Sequence, residues 1–252
     1  MGQEGRVALV TGGGRGIGKA IALGLAEDGA DIAVNYRKND EAAQATVAEI
    51  GKLGRRAIAY SASIDDLDAC EQMVAQVLSD FGAVDILVNN AGIASRGQTV
   101  ADTDPAEMER VWRTHTLGAW MLSKLVIPSM RTRPRGDIVM ISSLSAVQLL
   151  PFSAPYNMAK AALEALAHTL AKEERRNGIH VNIVAPGLTD TEMGRRLVKG
   201  AMGVDDIRTM DARAAFGHVC SPEEIADAVR WVVSERASYV TSQRIGVDGG
   251  NF

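Results

Sequence analysis

A chain of 252 residues with 46% hydrophobic content can build one substantial core and falls short of a comfortable two-domain length, so a single domain over 1–252 is expected. Its 27 basic and 31 acidic residues leave a formal charge of -4 with neither sign gathered into a block, which gives no electrostatic reason to expect nucleic acid or an anionic membrane as partner. The apolar stretches break well before the roughly 18 residues of a membrane span, and the start lacks the basic region and apolar run of a secretion signal, so a cytoplasmic protein is expected.

In chain order, Arg6 to Thr11 is a short strand rich in Val and Leu that runs directly into Gly12-Gly13-Gly14-Arg15-Gly16-Ile17-Gly18. Ile17, Ile21 and Leu25 then recur at helical spacing, predicting a helix from Ile17 to Ala30. A strand follows at Ala30 to Tyr36, a helix at Asp40 to Leu53, a strand at Arg55 to Tyr60 and an amphipathic helix at Asp66 to Phe81. Val84 to Val88 is a nearly continuous apolar strand, and the next helix runs from Asp104 to Met130 with an interruption at Gly118. Asp137 to Ile141, Pro155 to Asn177 and Ile179 to Val184 read as strand, helix and strand.

Ser221-Pro222-Glu223-Glu224 carries the marks of a helix start: a capping serine, a proline at the first helical position and a glutamate that completes a capping box. Tyr239 to Val247 is the last predicted strand. Before that helix, Thr191 to Phe216 is weakly patterned, with Met193, Leu197, Met202 and Met210 among charges; it reads as a helical lid over 188–217 or as an ordinary surface excursion. Strands apolar on both faces and separated by helices belong in a parallel sheet covered on both sides. The expected fold is therefore α/β, a three-layer αβα sandwich with a mostly parallel seven-stranded sheet.

A glycine turn between a first strand and its helix lets the backbone approach a diphosphate, whose charge then meets the free amides at the helix start. Gly12, Arg15, Gly16, Ile17 and Gly18 are the candidates for that contact, and their place inside repeated βα units makes the fold Rossmann-like. Gly13 to Lys19 also follows most of a phosphate-loop pattern, but the next residue is Ala20, which has no hydroxyl for magnesium. At the end of the second strand, Arg37 and Lys38 stand where an NAD binder usually has an acid, and no acid comes before Asp40. Arg37, with Arg15, favours NADP over NAD. Asn89-Asn90-Ala91-Gly92 falls at the carboxyl end of the fourth strand, where such sheets place ligands.

Tyr156 and Lys160 are four apart on one helix and share a face. A free tyrosine has a pKa of about 10 and is a poor acid or base near neutrality; an ammonium beside it would bring that value down. Ser142 and Ser143 close the fifth strand, again at the ligand-bearing edge. On spacing alone such a pair is ordinary, and packing with a solvated amine is a better reading than catalysis. Cys70 and Cys220 form no metal or disulfide pattern, and His115, His168, His180 and His218 have no ligand spacing, so no metal is expected.

Taken in order, Thr11 to Gly18, Asn89-Asn90-Ala91-Gly92, Ile141-Ser142-Ser143, Tyr156-Asn157-Met158-Ala159-Lys160, Pro186-Gly187 and Val247-Asp248-Gly249-Gly250 resemble the short-chain dehydrogenase/reductase family of the classical type, and especially its 3-oxoacyl-carrier-protein reductase group. The resemblance implies an NAD(P)-dependent enzyme interconverting a carbonyl and a secondary alcohol. It implies Ser143 as the residue holding the substrate oxygen, Tyr156 as the proton donor, and Lys160 as the holder of the nicotinamide ribose that also lowers the tyrosine pKa. It further implies cofactor contacts from Asn89, Ala91, Gly92, Pro186, Gly187, Thr189 and Thr191, and a homotetramer.

Two positions depart from the family pattern. Where many members carry a helix asparagine that presents a backbone carbonyl to a proton relay, this chain has His115, which keeps the carbonyl or adds its imidazole to the relay. Where an aspartate meets the adenine, it has Ser63, which carries no charge. Val147, Leu149, Leu150, Pro151, Phe152, Leu188, Met193 and Leu197 point to an apolar substrate, a hydrophobic ketone or 3-oxoacyl thioester. A sugar, polyol or small cyclic alcohol is the alternative, and a dinucleotide-binding sensor or scaffold without chemistry is a further one.

Overall fold

The protein is represented by a computed structural model that describes residues 2–251. The expected domain span 1–252 also takes in Met1 and Phe252, which lie outside the described residues. Among the described residues seven strands form one sheet: β1 (Val7–Val10), β2 (Asp31–Tyr36), β3 (Ala57–Ser61), β4 (Ile86–Asn89), β5 (Gly136–Ile141), β6 (Ile179–Pro186) and β7 (Arg244–Val247). Their order is β3-β2-β1-β4-β5-β6-β7, and every neighbouring pair is parallel, so the sheet is wholly rather than mostly parallel.

Each parallel connection has to cross the sheet, and the crossovers are helical. α1 (Gly16–Glu27), α2 (Asp40–Lys52) and α9 (Pro222–Val232) cover one face, over a core that includes Ile21, Leu25, Ile32 and Val229. α3 (Leu67–Phe81), α5 (Gly118–Met130) and α7 (Ala154–Glu174) cover the other, over Leu87, Leu122, Ile138 and Leu163. With apolar side chains needed on both faces, β1, β4 and β5 are buried throughout, which is why they read as unbroken apolar runs. Because β1 lies between β2 and β4, the chain leaves it in opposite directions, and the turns after β1 and β4 open a crevice at their carboxyl ends.

Three expectations change. The long helix is α4 (Pro105–Trp112), a wide π turn over Arg113–Leu117, and then α5, so the interruption precedes Gly118. The turn is pinned from outside the helix: Arg113 donates to the Asp65 carbonyl at 2.9 Å, and Thr116 Oγ1 to the Ala159 carbonyl of α7 at 3.1 Å. The last strand is only Arg244–Val247; Ser242 has φ 59, a left-handed backbone that ends the extended run expected from Tyr239. The helix predicted to Asn177 stops at Glu174 and tightens into a 3-10 turn over Arg175–Asn177. A four-residue helix, α6 (Ser145–Gln148), has no counterpart among the predicted elements.

The weakly patterned segment contains α8 (Glu192–Met202) and a 3-10 turn over Ile207–Arg213. Val198, Ile207 and Val219 form a small apolar cluster of their own, apart from both faces of the sheet. Asp190 ties its ends, pairing with Arg195 at 2.8 Å and Arg208 at 3.2 Å.

The capping box at α9 forms as expected: the Glu224 amide donates to Ser221 Oγ at 3.3 Å, and the Ser221 amide to Glu224 Oε2 at 2.7 Å. Ser221→Ala should lower the unfolding free energy by about 1 kcal/mol, measured by denaturant titration, with no change in the sheet's circular dichroism.

Candidate active site

The turn after β1 is braced from two sides. The Gly12 amide donates to Asn35 Oδ1 at 3.3 Å and the Gly13 amide to the Asn35 carbonyl at 2.9 Å. From the β4 side, Asn90 Nδ2 donates to the Thr11 carbonyl at 2.7 Å, while Thr11 Oγ1 accepts from the amides of Asn90 and Ala91, both at 2.9 Å. Asn35, Asn90 and Thr11 thus set the shape of the turn, roles that spacing alone does not assign. Asn89 turns the other way, buried under the sheet with Nδ2 3.3 Å from Met140 Sδ.

A dinucleotide diphosphate fits this turn. No side chain caps the start of α1, and no acid lies in its first turn, so the helix presents amides and dipole to an anion. A Cβ on Gly18 would overlap the Gly12 carbonyl, so only glycine permits this approach of helix to turn. Arg15 is exposed at the mouth of the turn and paired with Glu192 of α8, while Arg37 is exposed at the end of β2. Ser63, at the end of β3, gives its hydroxyl to Asp65.

Across the crevice, Pro186 ends β6 and accepts the Leu144 amide at 2.9 Å, and the Gly187 amide donates to Val247 at 3.0 Å. Thr189 is buried, its hydroxyl on the Gly187 carbonyl at 3.2 Å. Thr191 caps α8, its hydroxyl accepting the Gly194 amide at 3.0 Å, and stands against Gly16 of the glycine turn.

The four residues expected to react converge. Lys160 is buried, and its ammonium donates to the Ile141 carbonyl at 2.6 Å, with Nζ 5.7 Å from the centre of the Tyr156 ring. Ser143 Oγ accepts the Ser145 amide at 3.1 Å, and the Ser143 hydroxyl also hydrogen-bonds Tyr156. The His115 ring meets the Tyr156 ring edge-on at 84° with centroids 5.2 Å apart. Gly92 leaves room for that imidazole: a Cβ there would lie 2.5 Å from its Cε1.

The electrostatics differ from the expectation in two respects. Burial raises the Tyr156 pKa, and a hydrogen bond with Ser143 works against it; the anticipated lowering by Lys160 is not what this environment produces. Burial brings Lys160 itself down to about 7, with Glu164 opposing that fall, so the ammonium that should favour phenolate is itself only partly charged near neutrality. His115 is held down to about 3, first by burial and then by the charge of Lys160, and is neutral near pH 7 rather than poised to titrate there. Its Nε2 lies 2.8 Å from the Ile93 carbonyl and 3.1 Å from the Ile93 amide, and the shorter contact favours the Nε2–H tautomer. Nδ1 is then a buried acceptor without a hydrogen-bond partner among the described residues.

The loop from Leu149 to Phe152 carries strain. Leu149 has φ 52 and Phe152 φ 63, values bulky side chains seldom adopt, and both side chains are exposed. Asn157 Nδ2 holds the loop through the Leu150 carbonyl at 2.9 Å, and Gln148 Nε2 reaches the Asn251 carbonyl at 3.0 Å.

Residues 12–251 match the family model described as enoyl-(acyl carrier protein) reductase. The chain is 36% identical over 251 residues to L-rhamnose 1-dehydrogenase (NAD(P)(+)) from Sphingomonas sp. (strain SKA58), covering 99% of this chain and 97% of that one. It is 37% identical over 246 residues to 3-oxoacyl-[acyl-carrier-protein] reductase from Synechocystis sp., covering 97% and 96%. The crystal structure of a short chain dehydrogenase from Burkholderia cenocepacia J2315 in complex with NADP superposes with a TM-score of 0.89 at 37% identity, covering 98% of each chain.

His115 makes a stability prediction. Its pKa is about 3 in the folded chain against an ordinary value of 6.5, so between those limits the unfolded chain binds the additional proton. Its contribution is complete above 6.5 and is lost as pH falls toward 3, at up to about 1.4 kcal/mol per pH unit. Urea unfolding at about pH 7 and about pH 5 should show that slope in the native chain and a shallower one in His115→Asn.

Proposed function

The chain belongs to the short-chain dehydrogenase/reductase family and is an NAD(P)-dependent oxidoreductase that interconverts a carbonyl and a secondary alcohol; from that premise we propose which residues carry the reaction and what it acts on. Ser143, Tyr156 and Lys160 are the catalytic residues, with His115 positioning Tyr156. The observation that carries this reading is the convergence of the Ser143 hydroxyl, the Tyr156 phenol and the buried Lys160 ammonium at the carboxyl end of β5.

Ser143, whose hydroxyl hydrogen-bonds Tyr156, would present its O–H to a substrate oxygen seated between the two and steady the charge that grows there. Tyr156, kept protonated by burial, gives its proton to that oxygen during reduction; oxidation needs the phenolate and therefore runs against this raised pKa. Lys160, near 7, exchanges a proton at neutral pH and holds it close to the tyrosine. The nicotinamide dinucleotide supplies or accepts the hydride. Gly12, Gly16, Ile17 and Gly18 would hold its diphosphate, Ala91, Gly92, Pro186, Gly187, Thr189 and Thr191 its nicotinamide side, and Ser63 its adenine, while Asn89, whose side chain turns into the core, would support the site only from beneath. His115, neutral and edge-on to Tyr156, acts through ring placement more than through proton uptake.

NADP is the preferred cofactor. Arg37 and Arg15 are exposed beside the end of β2 and the glycine turn, where a ribose phosphate would meet two cations. The Arg15 pair with Glu192 is solvent-exposed, and such pairs hold by no more than about 1 kcal/mol, so a phosphate can displace it.

Exposed Leu149, Leu150, Phe152, Met193 and Leu197 support an apolar substrate body, a hydrophobic ketone or 3-oxoacyl thioester. A sugar or polyol substrate is the second reading, favoured by the similarity to a rhamnose dehydrogenase, which nearly equals that to the acyl-carrier-protein reductase. The segment 188–217 is the substrate lid of a single domain. Self-association as a homotetramer is supported by exposed Trp112, Trp120 and Met158 on the outer side of α4, α5 and α7, where a hollow of about 510 Å³ opens between Met108, Trp112, Pro155 and Met158.

Tyr156→Phe should lower kcat by about 10²- to 10⁴-fold with cofactor binding unchanged in a fluorescence titration; unchanged turnover would remove Tyr156 as proton donor. Replacing Arg15 and Arg37 together by alanine should abolish the NADP over NAD preference in kcat/KM. A panel of acyl thioesters, cyclic and aryl ketones and polyols, assayed in both directions, should give its highest kcat/KM with an apolar carbonyl; a polyol at the top would reverse the substrate assignment.

A further inference from the structure

Tyr156, Lys160 and Glu164 stand at successive four-residue steps on α7 and so line one face of the helix. Opposite them the end of β5 is held at three consecutive residues. Lys160 donates to the Ile141 carbonyl at 2.6 Å, Ser142 Oγ donates to Glu164 Oε1 at 2.6 Å, and Arg244 Nη2 donates to the Ser143 carbonyl at 3.4 Å. Arg244, reaching over from β7, also places Nε 3.1 Å from Glu164 Oε1. The Glu164 and Arg244 side chains are only 12% and 20% exposed, so this contact is withdrawn from water in a way that surface ion pairs are not.

Resting on the assignment of Ser143, Tyr156 and Lys160 above, we propose that Glu164, braced by Arg244, is a positioning residue for the reaction. It fixes α7 against the end of β5, and with that the spacing of Tyr156 from Ser143, and it supplies a negative charge that favours the ammonium form of Lys160. Each grip acts on a different residue of the same short stretch, so releasing the middle one frees Ser142 and loosens Arg244 from Ser143 at the same time. A displacement of about 1 Å between a catalytic pair is enough to lower a rate by about 100-fold.

Among the described residues, the titratable and polar groups around Lys160 are few. On α7 they are Tyr156 and Glu164; the π turn offers His115, which is neutral; β7 offers Arg244; the end of β5 offers a carbonyl and two hydroxyls. Burial drives Lys160 toward its neutral form, and the Glu164 carboxylate is the group that opposes it. Removing that charge therefore moves the lysine further down, and activity that needs the ammonium fails at a lower pH.

The test uses the full chain with its preferred cofactor and a substrate from the panel, comparing Glu164→Gln, Glu164→Ala, Arg244→Met and Tyr156→Phe. Glu164→Ala and Arg244→Met should lower kcat by about 10- to 100-fold while KM for the cofactor stays within about threefold. Glu164→Gln keeps an acceptor oxygen but no charge; it should hold more of the kcat and shift the alkaline limb of the reduction profile by about 0.5–1 unit toward acid. Native kcat and an unmoved limb in the folded Glu164 variants, with only a lower melting temperature, would overturn the proposal and leave the pair as a structural staple. If Glu164→Ala does not fold, the limb in Glu164→Gln decides. Full turnover in Tyr156→Phe would overturn the underlying site assignment, and this inference with it; loss of turnover there beside unaltered Glu164 variants overturns this inference alone.

Discussion

A wholly parallel sheet imposes the constraint from which the rest of the molecule follows. Both faces must be covered, because every crossover brings a helix back over the sheet, so neither face is left open to a ligand. The strand ends are different: the turns leaving β1, β4, β5 and β6 emerge together at one edge, and at β1 the chain departs to either side. Backbone amides that no helix or strand consumes collect there. The glycine turn, the Asn90 brace, the two serines after β5 and the start of α8 all occupy that edge, although they come from positions scattered over most of the chain.

What could be read from the sequence was whatever local periodicity or a short motif encodes. The apolar runs of β1, β4 and β5 gave the sheet because complete burial leaves no polar alternation to confuse the pattern. The capping box at Ser221 and the shared face of Tyr156 and Lys160 are local too. The π turn was not readable: Arg113 to Leu117 continue a helical pattern, and the widening depends on the holds that Asp65 and Ala159 exert from elsewhere. Tyr239 to Gln243 has the composition of a strand, but a turn closed by Val240 on the Ala237 carbonyl and the left-handed backbone at Ser242 break its extended run. Glu164 and Arg244 lie 80 positions apart, and no spacing rule brings them together.

The site shows how far geometry and charge can separate. Tyr156 and Lys160 sit where helical spacing puts them, but the low dielectric that surrounds them acts on both in the direction of neutrality, against the simple picture of an ammonium stabilising a phenolate. His115 is the extreme case, an imidazole so withdrawn from water that it behaves as an aromatic plate against the tyrosine with one hydrogen-bonding nitrogen in use. Neutral groups of this kind place atoms well and respond strongly to any charge introduced beside them.

The small apolar cluster of Val198, Ile207 and Val219 packs α8 and its following turn separately from the two clusters on the sheet faces. Exposed Met193, Leu197 and Met202 can therefore be exchanged with little risk to folding. Over evolutionary time, the exposed apolar residues of α8 and the buried residues that hold the sheet answer to different constraints, so that outer face is free to change while the framework beneath it stays put.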